Sequence, residues 1–158
     1  MDLSKLSAAD KVIGASAILF LIAMFLPWWG IDFGEGFGSA SNSGWDYFLT
    51  GILPLLIALA MVAVIYIQKF TSTELPKPPL PWSQLFLIGG AVIAVLLVLR
   101  VIIGADEGAA GITIDLDREW GLWVALIAAL GLGAGGYLKS QESEDAIAGR
   151  GTAPPTPF

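Results

Sequence analysis

Four long apolar runs divide the chain, at 12–29, 48–67, 85–103 and 120–138, and polar or proline-rich segments separate them. A helix needs about 20 mostly apolar residues to cross the hydrocarbon core of a bilayer. The first, second and fourth runs carry no charge, and the third carries only Arg100, three residues from its end. Helices satisfy their own backbone hydrogen bonds, so runs of this kind predict helices in lipid. The expected fold is therefore an all-α membrane protein: four transmembrane helices forming two helical hairpins within residues 1–138. A flexible polar, then Gly- and Pro-rich, tail is expected at 139–158.

Lys5 and Lys11 precede the first run as they would in a secretory signal. The run continues into Leu26-Pro27-Trp28-Trp29 with no small-x-small site directly after it, so a retained span is expected. Between the runs, Ile31-Asp32-Phe33 and Ile112-Thr113-Ile114-Asp115-Leu116 alternate apolar and polar residues, the period of a half-buried strand. Both lie on the same side of the predicted bundle, so they are expected to pair as a small outer β-element. The prolines of Pro76-Lys77-Pro78-Pro79-Leu80-Pro81 predict a stiff, extended spacer between the hairpins. Span two opens on Trp45 and closes near Tyr66; span four opens on Trp120 and Trp123 and closes near Tyr137, which would suit a parallel duplication.

Charge sets the orientation. Lys5, Lys11, Lys69, Lys77, Lys139 and Arg150 fall on one side and Arg118 on the other, with Arg100 at its boundary. The lysine-rich side is the expected cytoplasmic one, with both termini inside and the plasma membrane as location. Trp28, Trp29, Trp45, Trp120 and Trp123 fall near the outer span ends and Trp82 near an inner one, so all six are expected as interfacial anchors. Composition agrees: 56% of residues are hydrophobic, 14% charged, and the mean hydropathy is +0.76, against about 25% charged in soluble domains. Without Cys or His, thiol chemistry and His- or Cys-based metal and haem sites are excluded. A net charge of −6 argues against a nucleic-acid partner.

Few residues invite chemistry. Arg100 is the boundary charge, expected to snorkel to the interface or pair with Asp46, Asp106 or Asp115. Asp115-x-Asp117-x-Glu119 would share one face of a strand, but a solvated acidic loop explains the run as well as calcium does. Gly131, Gly133 and Gly135 with Ala125 and Ala129 form small-residue ridges on span four, and Gly89 and Gly90 form a patch on span three. Such ridges let membrane helices approach closely, within a chain or between subunits. Pro54 suits a helix starting near Ile52, and Pro27 is placed to end or kink span one. No span holds an acid, Asn or Gln, so no enzyme, cofactor or metal is expected.

Phe25-Leu26-Pro27-Trp28-Trp29-Gly30, Gly44-Trp45 and Gly135-Gly136-Tyr137-Leu138 together resemble small four-span membrane proteins of unknown function from actinobacteria. The resemblance implies a bacterial plasma membrane and supplies no activity. Trp120-Gly121-Leu122-Trp123 echoes a claudin signature, but the two cysteines that accompany that signature are absent. The expected role is a non-enzymatic subunit that binds other membrane proteins or itself; the alternative is a small oligomeric channel or carrier with an acidic outer mouth.

Overall fold

Ser7 and Asp10 open the first helix, α1 (Ala8–Ala23), as a reciprocal cap. The Asp10 amide donates to Ser7 Oγ at 3.2 Å, and the Ser7 amide donates to Asp10 Oδ2 at 3.0 Å. The computed structural model describes residues 3–71, 73, 75–104, 106–109, 112–142 and 147. Helix α1 has 16 residues, about 24 Å at 1.5 Å per residue, short of the ~30 Å hydrocarbon core. It stops where the chain turns toward Pro27, the first residue of strand β1 (Pro27–Asp32). The Trp28 indole donates to the Ala23 carbonyl at 2.7 Å, a second donor on a helix-end acceptor that also takes the Leu26 amide at 3.1 Å. The expected span 12–29 is thus replaced by a short helix followed by a strand.

Three helices are long and apolar enough to cross a membrane: Phe48–Phe70, Trp82–Ile103 and Trp120–Ser140. The first begins as a wide π-helical segment, Phe48–Ile52, and continues as α2 (Leu53–Phe70) with Pro54 in its opening turn. Pro54 has no amide hydrogen to donate, which favours a change of helical geometry just ahead of it. Gly51 lies so close to the Gly44 carbonyl that a Cβ would collide with it. Helix α3 (Trp82–Ile103) follows the proline-rich spacer and closes at Gly104, whose φ of 85° with ψ of −173° is a conformation glycine adopts without strain. Helix α4 (Trp120–Ser140) runs through Lys139, where a tail was expected. Ile147, also assigned to that tail, is buried against the core.

Two small sheets lie at one end. Strand β1 pairs antiparallel with β2 (Ser39–Ser43) through a turn in which Gly34, Gly36 and Gly38 all have positive φ. Strands β3 (Asp106–Ala109) and β4 (Ile112–Asp115) pair with each other, and β5 (Asp117–Arg118) pairs with β1, giving the order β2-β1-β5. The expected pairing of 31–33 with 112–116 is corrected. The segment after Asp115 reaches β1, while 112–115 closes on its immediate predecessor, a hairpin needing less loop closure.

Helix α4 is central, packing against α1 on one side and α3 on the other. Its glycines face both neighbours. A Cβ on Gly135 would lie 2.6 Å from Ile13 Cγ1 of α1, and Gly131 abuts Ser16. Gly133 faces Ala94 and Gly90 of α3, and a Cβ on Gly90 would lie 2.7 Å from the Leu132 carbonyl. The small-residue ridges are therefore occupied inside the bundle, together with buried Ala125 and Ala129. Buried Ile13, Phe20, Ile93, Leu97, Leu122 and Leu132 fill the interior between them. Gly89 instead faces Ile57 and Met61 of α2.

Candidate functional site

Because α1 ends early, the space above it is closed by side chains from β1 and the turn before α2. Trp28 and Trp29 are buried at 0% and 1% exposure. They are core residues, which corrects their expected role as interfacial anchors: strand β1 has a register irregularity between Pro27 and Trp29, where strict alternation of faces is broken and both neighbouring rings are covered. Trp28 meets Phe20 edge-on, with centroids 6.3 Å apart, and stacks on Tyr47 at an interplanar angle of 17°. Trp45, Trp120 and Trp123 are substantially exposed near the same end, and Trp82 is half-buried at the other.

Arg100 reaches into this aromatic plug. Its guanidinium lies 4.0 Å from the Tyr47 ring centroid and 5.3 Å from that of Trp29. Arg118 approaches Trp29 as well, at 5.6 Å. A cation over a desolvated ring is stabilised by about 2 kcal/mol. Both arginines also close α3: Arg100 Nη1 donates to the Gly104 carbonyl at 3.3 Å, and Arg118 Nε donates to the Val101 carbonyl at 3.0 Å. Positive charge at a helix C-terminus complements the helix dipole. Asp46, one expected partner of Arg100, instead accepts from the Ser43 amide at 2.7 Å and caps its own turn. The side chains of Asp106 and Asp115 lie outside the described residues. Two donors in the plug, Trp29 Nε1 and Arg100 Nε, are buried without a hydrogen-bond partner among the described residues.

Next to the plug, a cavity of about 390 Å³ is walled by Asp32, Asp117, Glu119, Ser39 and Ser41. Gly30 makes room for Glu119, whose Oε1 would lie 2.6 Å from a Cβ at that position. Among the described residues, no three acidic side chains stand together as a metal site.

The opposite end holds a cluster that the sequence reading missed. Lys139 of α4 is fully buried, and its Nζ donates to Asp10 Oδ1 at 2.6 Å and to Glu142 Oε2 at 2.7 Å. Lys69 of α2 stands 3.8 Å from Asp10 Oδ2. The Phe86 ring of α3 lies 5.8 Å from Lys139 Nζ, so each of the four helices contributes a side chain to the cluster. Burial raises the Asp10 pKa. The hydrogen bonds from Lys139 and the Ser7 amide, with the charges of Lys139 and Lys69, outweigh burial and hold it below the usual 3.8. One signal was present in the sequence: Ser7-x-x-Asp10 is a capping spacing that places a carboxylate in the first turn of α1. Its partner lies 129 residues away, beyond the range of any local pattern.

Comparison of the chain with protein-family models, with curated proteins and with solved structures gives no match. The resemblance to four-span actinobacterial proteins therefore rests on its short motifs alone.

Proposed function

We propose that this chain is a non-enzymatic membrane protein of a bacterial plasma membrane, serving as an interaction subunit of a larger assembly or of a homo-oligomer. The contact surface in this reading is the β1–β2 hairpin. The observation that carries it is the outer edge of β2, unpaired among the described residues, beside two exposed aromatics, Phe33 at 52% and Phe37 at 83% exposure. An unpaired strand edge is a ready template for another chain, and exposed aromatics are common anchors of interfaces. The filled interior supports a structural role over a transport path through a single bundle. In this reading the part of α1 that follows Asp10 completes a four-span bundle, with the aromatic plug making up the missing thickness, and both termini are cytoplasmic.

The test is purification in mild detergent after replacing Phe33 and Phe37 by Ser. Loss of the co-purifying subunits or of the oligomer, with membrane insertion unchanged, is the expected result. Assembly that survives the double substitution contradicts the proposal. The same experiment separates the hairpin from the glycine ridges: Gly131→Leu and Gly135→Leu should disturb the bundle itself, because both positions face α1.

The acidic cavity favours a second reading, an oligomeric channel or carrier whose mouth concentrates cations. Reconstituted protein would then pass cations, and Asp117→Asn with Glu119→Gln would reduce the flux. Absence of flux for a series of monovalent and divalent cations removes this reading.

A further inference from the structure

At the lysine end, helices α2 and α3 separate around an apolar groove of about 150 Å³. Ile57, Ala60, Met61 and Val64 form one wall, spaced along one face of α2. Trp82, Phe86 and Gly89 belong to the other wall and run about 10 Å along α3, at 1.5 Å per residue. Gly89 keeps the groove open, since a Cβ there would sit 3.3 Å from Ile57 Cγ2 and 3.4 Å from Met61 Sδ. The groove is walled by apolar side chains, which suit an apolar guest. It is too narrow for another helix, whose diameter with side chains is about 10 Å.

The mouth of the groove is differently built. The Trp82 indole donates to the Pro76 carbonyl at 3.1 Å, which holds the spacer loop against the groove wall. Exposed Lys77 is the next residue in that loop. A slot between two membrane-length helices, apolar along its depth, with an exposed cation one residue from the loop carbonyl that is bonded to its wall, matches a molecule with a hydrocarbon chain and an anionic head. We infer that this groove binds one acyl chain of an anionic phospholipid, with its phosphate at Lys77.

The full chain, extracted in a delipidating detergent with equal phosphatidylglycerol and phosphatidylcholine, tests this by native mass spectrometry. The wild type should retain one phosphatidylglycerol. Ala60→Trp and Gly89→Leu, which fill the slot from opposite walls, should each reduce retention at least tenfold. Ala60 is exposed, so its substitution keeps the test valid if Gly89→Leu fails to fold. Lys77→Gln should keep a bound lipid and lose the preference for the anionic one. Retention by Ala60→Trp equal to wild type, or no preference in the wild type, overturns the assignment. A wild-type dimer that Ala60→Trp dissolves would instead give the groove to a second copy, and also overturns it.

Discussion

The two ends of the bundle are closed by opposite means. At the lysine end, Asp10, Lys139, Lys69 and Glu142 join three helices and the start of the tail through ion pairs of 2.6–3.8 Å. At the sheet end, Trp28, Trp29 and Tyr47 do the filling, and the cations Arg100 and Arg118 lie against rings and helix carbonyls. The contrast follows from what each end must bury. The lysine end places a carboxylate and an ammonium out of contact with solvent, and each makes the other tolerable. The sheet end covers the top of a short helix, and large rings supply the volume while spreading the cost of nearby charge. A buried ion pair fails sharply when halved; an aromatic plug loses one contact at a time.

The largest difference should appear on removing one partner at the lysine end. Lys139→Met leaves the buried Asp10 carboxylate with only the Ser7 amide and the more distant Lys69 to offset its charge, and should cost about 3 kcal/mol, read from unfolding in detergent. Adding Asp10→Leu should recover most of that loss, short of about 1 kcal/mol for the Ser7 cap. A double variant no more stable than the single one would show that the pair is a net source of stability. At the sheet end, Arg100→Leu should cost only about 1–2 kcal/mol, because it removes cation–ring contacts and one helix-end hydrogen bond without stranding an acid. A loss as large as that of Lys139→Met would erase the distinction between the ends.

Acid should act on the lysine end. The Asp10 pKa is lowered in the folded chain, so its contribution is fully present above the ordinary value of 3.8 and is lost as pH falls through the folded-state value. The melting temperature should therefore drop below about pH 4 in the wild type, and this component should be missing from Asp10→Leu/Lys139→Met. An unchanged acid limb in that variant would place the sensitivity elsewhere.

The same contrast explains what the sequence disclosed. Three membrane-length helices were readable because their apolar runs are long, and composition alone marks them. The end of α1 at Ala23 was not, since hydropathy sums Leu26-Pro27-Trp28-Trp29 as more span. Only the fold shows those tryptophans turning inward on a strand. Period-two alternation announced strands after 30 and after 111 but not their partners, because pairing depends on loop closure as well as pattern. Arg100 stood out as a charge in an apolar run, and its aromatic neighbours come from 28–47, remote in sequence. Lys139 drew attention only as a positive charge near the terminus; its burial depends on Asp10, Phe86 and Glu142 converging in space.

The central claim is that the outward faces of α2, α3 and α4 meet lipid. Val95, midway along α3, is 55% exposed on the isolated bundle. The chain has no native cysteine, so Val95→Cys can be treated in sealed membranes with a membrane-impermeant maleimide. Phe37→Cys and Gln141→Cys serve as reporters of the two ends. The account predicts no labelling at Val95, labelling of Phe37 from one side only, and labelling of Gln141 from the other. Rapid aqueous labelling at Val95 before detergent is added would contradict it.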